Sequence, residues 1–139
     1  MTTIYVVESK LRSIDEYYSI LLKYRKYSQD ELKNDVALKG SLERYLYLLC
    51  QSAIDLGEAV IAFKDFYRPS SYSDIFQILK EKEIISLEMM KKLIDMTGFR
   101  NAIIHDYQKF DFNVAYQVLM VGMDDIKEFE LIIKKYLNL

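Results

Sequence analysis

Residues 36–66 read VALKGSLERYLYLLCQSAIDLGEAVIAFKDF. Apolar side chains at Leu38, Leu42, Tyr45, Leu46, Leu49, Ile54, Leu56, Val60 and Ile61 recur three and four apart, which is the repeat of one helix face. The two-residue alternation of a half-buried strand is missing. Just upstream, Ser28 with Glu31 three positions on has the form of a capping box. The spacing therefore predicts a helix from Ser28 or Asp30 to Phe66, about 35 residues and longer than a usual globular helix. Gly40 and Gly57 are places for it to bend or to take a close neighbour. Two helices joined at a kink are the alternative, and both readings are all-helical.

Outward from this stretch the same period continues. Leu11, Ile14, Tyr18, Leu21 and Leu22 predict a first helix from about Ile4 to Tyr24, with a break over 26–29. Tyr67-Arg68-Pro69-Ser70-Ser71 is the clearest break, since proline disfavours a helical residue before it and the serines can cap the next helix. That helix is expected to be short, running through Phe76 and Leu79. Another is expected on Ile84, Ile85, Leu87, Met90, Leu93 and Met96, with its end near Gly98. Asp111 or Asn113 caps a last helix that reaches Leu137, with Gly122 marking a bend. The chain thus reads as a single domain over 1–139, an all-α antiparallel bundle of about five helices, with the two longest antiparallel.

Composition narrows the function. Nineteen Lys+Arg against 21 Asp+Glu give a formal charge of −2, so no general attraction toward nucleic acid or anionic lipid is expected. One cysteine, Cys50, makes no internal disulfide, and with one histidine it is too little for a structural zinc site. The start of the chain has no basic leader before an apolar run, and no stretch nears the roughly 18–20 uninterrupted apolar residues of a membrane span. A cytoplasmic protein with no membrane partner is expected. Phosphate-binding glycine loops, Gly-x-Ser-x-Gly elbows and His-Glu-x-x-His zinc helices are missing from the sequence. Asp124, Asp125, Glu128 and Glu130 read as a solvated helix face and not as a metal cluster. Lys91, Lys92, Lys134 and Lys135 read as surface charges, and Cys50 as a buried thiol. No metal and no cofactor are called for.

Polar chemistry collects in Gly98-Phe99-Arg100-Asn101-Ala102-Ile103-Ile104-His105-Asp106-Tyr107. Asn101 and His105 are four apart and share a helix face. Arg100 is five before His105, about 140° round a regular helix, with a side chain long enough to curl back. An imidazole of ordinary pKa, roughly 6.5, exchanges protons near neutrality. A guanidinium fork fits phosphate oxygens. Together they suit metal-free cleavage of RNA, in which the 2′-hydroxyl attacks the adjacent phosphorus. Arg100 would stabilise charge on the non-bridging oxygens. His105 would take the hydroxyl proton or protonate the departing 5′-oxygen. A lone histidine at a helix end also has a purely structural reading.

These residues resemble the HepT-like toxin family, a branch of the all-α HEPN superfamily. The stretch Met96 to Tyr107 matches the family's Arg-x4-His-x-Tyr pattern, with Asn after Arg and Asp before Tyr. Leu42-Glu43-Arg44-Tyr45-Leu46 and Gln51-Ser52-Ala53-Ile54-Asp55-Leu56 resemble its long helix, and Pro69 to Phe76 its loop and short helix. The resemblance implies a homodimeric endoribonuclease toxin of a type VII toxin–antitoxin system, encoded beside a nucleotidyltransferase antitoxin of the MntA type. It implies Arg100, Asn101, His105 and Tyr107 as site residues. It further implies Tyr107 as the acceptor of AMP groups that silence the toxin.

One histidine per chain then acquires a meaning. Acid and base are best filled by two groups, and a symmetric dimer supplies two copies of His105 if the motif lies near the twofold axis. Asp106 orients Tyr107 or the antitoxin, or is a surface acid at a helix end. Gln51 and Asp55, four apart, bond toward the motif helix or across the dimer, or hold packing register as a buried polar pair. Arg44 is a second phosphate contact, or an ion-pair partner of Glu43 or Asp55. The RNA target, tRNA or mRNA, is not readable, and DNA is not expected as a substrate. A non-catalytic helical partner of a nucleotidyltransferase is the competing function.

Overall fold

The long helix expected over 28–66 is divided at Asp35. In the computed structural model, which describes residues 3–105 and 110–139, the helices are α1 (Ile4–Leu22), α2 (Gln29–Asn34), α3 (Val36–Phe63), α4 (Tyr72–Glu81), α5 (Leu87–His105), α6 (Phe112–Gln117) and α7 (Met123–Leu137). A 3-10 turn at Lys23–Lys26 closes α1, and a π turn at Val118–Gly122 joins α6 to α7. No strand occurs among the described residues, so the all-α bundle stands. The five helical bodies read from the sequence become seven because two of them are subdivided.

Capping explains the first division. Ser28 and Glu31 form the expected capping box at the start of α2. Asp35 then takes an extended backbone (φ −97°, ψ 110°) and its carboxylate accepts the Leu38 N–H at 3.0 Å. A second N-cap restarts the helix where no glycine or proline marks the site. α3 runs unbroken through Gly40 and Gly57. A Cβ at Gly57 would stand 2.7 Å from Ile75 Cγ2, so Gly57 is where α4 approaches α3. Gly98 likewise does not end α5, which runs on to His105. Helical glycine costs about 1 kcal/mol relative to alanine, and the buried Thr97 and Phe99 beside it keep the helix in register. The bend expected at Gly122 is the π turn.

α3 is the axis of the bundle. An 18-residue window within it has mean hydropathy 1.4, and 61% of that window is buried under the other helices. Tyr24 of the 3-10 turn donates to Ser41 Oγ at 2.8 Å, and Lys10 of α1 pairs with Asp55 at 3.7 Å. The end of α1 therefore meets the start of α3, and these helices are antiparallel. α7 also runs antiparallel to α1. Arg25 reaches the Leu119 carbonyl, Tyr18 reaches Asp124, and Asp15 reaches Lys127 and Lys134. The core between α3, α4 and α7 is centred on Phe76 and Phe129, packed edge to face with ring centroids 5.8 Å apart.

The acidic face read as solvated is only partly so. Glu130 is fully buried and accepts from Lys127 at 2.8 Å, with Lys134 at 3.6 Å. Both lysines also engage Asp15, so Lys134 is not a plain surface charge. Lys92, by contrast, stays at the surface between Glu88 and Asp125. Burial raises the Asp15 pKa, but the neighbouring Glu130 carboxyl, the hydrogen bond from Lys127 and the two lysine charges outweigh it and hold the carboxyl at about 2. Burial and the neighbouring Asp15 push Glu130 the other way, upward. An unfolded aspartate titrates near ~3.9. Between there and about 2 the unfolded chain takes up a proton that folded Asp15 refuses, so stability falls as the pH falls. Asp15→Asn is expected to lose less thermal midpoint than the parent between pH 5 and pH 2. Equal losses would contradict this account.

Candidate functional site

α5 carries the motif, and its contacts with α3 and α4 fix Arg100. The Arg100 Nε donates to Gln51 Oε1 at 2.8 Å, and its Nη1 donates to Asn101 Oδ1 at 3.0 Å. Gln51 is itself oriented, since its Nε2 donates to Asp55 Oδ1 at 2.9 Å. Asp55 is held in turn by Lys10. A polar relay thus runs from α1 through α3 to the arginine. The guanidinium also lies over two rings, 5.4 Å from the Tyr47 centroid and 5.3 Å from that of Tyr72. Of its five N–H donors, the described residues take two. The Nη2 pair and one Nη1 proton are left to meet an anion.

Asn101 and His105 are exposed on one face of α5. His105 lies about 7.5 Å along the axis from Arg100 and about 140° round it, so within one chain the imidazole and guanidinium leave different sides of the helix. Asn101 joins the two sides, sharing the face of His105 while its amide oxygen holds Arg100. Asp106 and Tyr107 lie outside the described residues.

Of the supporting residues, Gln51 reaches the motif helix through Arg100, while Asp55 meets Gln51 and Lys10. Arg44 forms no ion pair with Glu43 or Asp55 among the described residues. Its guanidinium instead lies over Tyr47, 5.4 Å from the ring centroid. Glu43, one turn earlier on the same stripe of α3, is buried, and its Oε1 has no partner among the described residues. Burial raises its pKa against the charge of Lys39. Cys50 is the buried thiol expected. Burial pushes it up to about 12 despite the opposing charge of Arg100, which removes it as a nucleophile. Asp124 is committed to Tyr18 and Arg25. The described residues hold no group of three acidic, histidine or cysteine side chains placed to bind a metal.

Lys10, Tyr47 and Tyr72 were not singled out for the site by sequence reading. Tyr47 had a signal, because it stands four before Gln51 and so faces the same helix. Its neighbour Tyr45 points elsewhere and packs on Tyr17 and Tyr24. Tyr72 opens α4 and reaches Arg100 only through the tertiary fold, so local spacing carries no trace of it.

Known proteins share this arrangement of helices. Residues 14–132 match the model of the family described as ribonuclease HepT-like. The chain is 27% identical over 104 residues to the mRNA nuclease HepT of Shewanella oneidensis, covering 75% of this chain and 78% of that protein. It is 24% identical over 132 residues to the tRNA nuclease HepT of Aphanizomenon flos-aquae, covering 95% and 90%. Among solved structures, the tri-AMPylated Shewanella oneidensis HEPN toxin in complex with MNT antitoxin superposes with a TM-score of 0.86 at 23% identity, over 94% of this chain and 97% of that one. That likeness shows a common fold.

Proposed function

The chain belongs to the ribonuclease HepT-like family, and from that premise we propose that it is the toxin of a toxin–antitoxin pair, a metal-independent endoribonuclease acting in the cytoplasm. The carrying observation is Arg100: a guanidinium fixed by Gln51, Asn101 and two tyrosine rings, with donors left over, on the same helix as the only histidine. In this reading two chains form a homodimer with a shared cleft. Arg100 binds the scissile phosphate and stabilises the charge that builds on its non-bridging oxygens. One His105 takes the 2′-hydroxyl proton as that oxygen attacks phosphorus, and the other delivers a proton to the departing 5′-oxygen. The products are a 2′,3′-cyclic phosphate and a free 5′-hydroxyl.

Divergence of Arg100 and His105 around α5 supports the composite site, because a facing copy supplies the imidazole that one helix turns away. Tyr107 is the AMP acceptor for an MntA-like antitoxin in this reading. Each transferred AMP adds bulk and a negative phosphodiester beside the cleft, which excludes RNA by volume and by charge. Tyr107→Phe is expected to keep the fold but to escape modification by the antitoxin, read as the loss of labelled AMP incorporation.

Expression in a bacterial host tests the proposal. Growth arrest is expected from the parent and not from Arg100→Ala or His105→Ala. Arrest by both variants would defeat the nuclease reading in favour of a non-catalytic partner of a nucleotidyltransferase. Gln51→Leu leaves Arg100 Nε unpaired while keeping an apolar contact in its place. Cleavage is expected to fall by about 10²-fold, the scale of a misplaced catalytic group, with an unchanged circular dichroism spectrum. A fall below twofold would show that the relay does not position Arg100.

A further inference from the structure

Tyr72, Arg100, Tyr47 and Arg44 form a run in which each guanidinium lies over a ring and the inner members are shared. Only Arg44 at the end of the run is exposed; the other three are half-buried. We propose that Arg44 is a stacking platform for a nucleobase of the RNA, next to the phosphate held by Arg100. This rests on the ribonuclease reading.

The two arginines are held in different ways. Arg100 has its fork fixed by hydrogen bonds from Nε and Nη1, and a fixed fork is what bidentate phosphate contact requires. Arg44 makes no hydrogen bond among the described residues, and its contact is with the Tyr47 ring. A ring contact steadies the cation without fixing the direction of its donors. A planar, weakly hydrated cation offers bases a stacking surface. Both guanidinium carbons lie 5.4 Å from one ring centroid, which places Arg44 within a nucleotide's reach of Arg100. The formal charge of −2 fits this division: with no broad basic surface to hold RNA, stacking supplies affinity that is not electrostatic.

Steady-state cleavage of a short single-stranded RNA by the full chain tests the proposal, with circular dichroism as the fold control. Arg44→Ala and Arg44→Lys are both expected to raise KM about tenfold, the scale of one lost base stack. Arg44→Tyr, which restores a plane without charge, is expected to stay within about twofold of the parent. The difference between parent and Arg44→Ala is expected to vanish on RNA made abasic beside the cleaved linkage. Parent-like KM in Arg44→Lys, or a loss that persists on abasic RNA, would make Arg44 a phosphate contact and overturn the proposal. If the parent cleaves no RNA, the ribonuclease reading falls first and the stacking role with it. Parent cleavage with unaffected Arg44 variants overturns the stacking role alone.

Discussion

Cleavage of single-stranded RNA is expected to fall by about 10²–10⁴-fold in Arg100→Ala and in His105→Ala, with the helical fold retained in both. The two losses have different origins. His105 is exposed at the last described turn of α5, so its removal deletes proton transfer and disturbs little packing. Arg100 is half-buried over two rings and bonded to Gln51. Its loss removes two cation–π contacts of about 0.5–1 kcal/mol each, a modest fraction of a stability of roughly 5–15 kcal/mol. Arg100→Lys should behave as the alanine variant does, because a point charge cannot bond Gln51 and Asn101 and still present a fork. Mixing separates the roles further. In a dimer of one Arg100→Ala chain and one His105→Ala chain, a single histidine is left to serve the one remaining Arg100, so the mechanism that uses both histidines predicts no cleavage. A parent/His105→Ala heterodimer with full activity per molecule would exclude the mechanism that uses both histidines.

The largest expected loss of stability comes from Phe129→Ala. Phe129 is fully buried and meets the edge of Phe76 across the α4–α7 contact. Deleting a buried phenyl group costs about 3–5 kcal/mol, from lost transfer energy and the cavity that remains. The cost falls toward the upper end because this position cannot collapse easily. Even a methyl group at Gly57 would meet Ile75, Phe76 and Leu79, so α4 has little room to move inward on α3. On its other side α7 is pinned to α1, where Asp15 meets both Lys127 and Lys134. Urea unfolding measures the effect as a lower midpoint with an unchanged slope. A loss under about 1 kcal/mol would place the core elsewhere.

Much of the fold was legible because it is local. Helical periodicity found every long helix, and the serines at 28 and 70–71 pointed to two starts, which are capped by Ser28 and Ser71. The errors came where one residue plays two roles. Asp35 looks like surface charge but caps a helix, and Gly98 looks like a terminus but lies within one. Glu130 was unreadable for another reason: its lysine partners lie on its own helix, while the Asp15 that completes the cluster is on α1. The same rule governs the site. Gln51 with Asp55 is a short-range pair and was found, whereas Asn101, paired in the sequence with His105, bonds Arg100. Tyr72 and Lys10 arrive from other helices, and nothing in their neighbours announces it.

The relay from Lys10 to Arg100 also sets how such a gene decays. If the arginine must be held by Gln51, and Gln51 by Asp55, a selection for cells that survive the toxin has several ways to succeed. Escape mutants should fall at Gln51 and Asp55 as well as at Arg100 and His105. They would be scattered over two helices and would spare the abundance of the protein. The wider the support beneath one side chain, the larger the mutational target for its silencing.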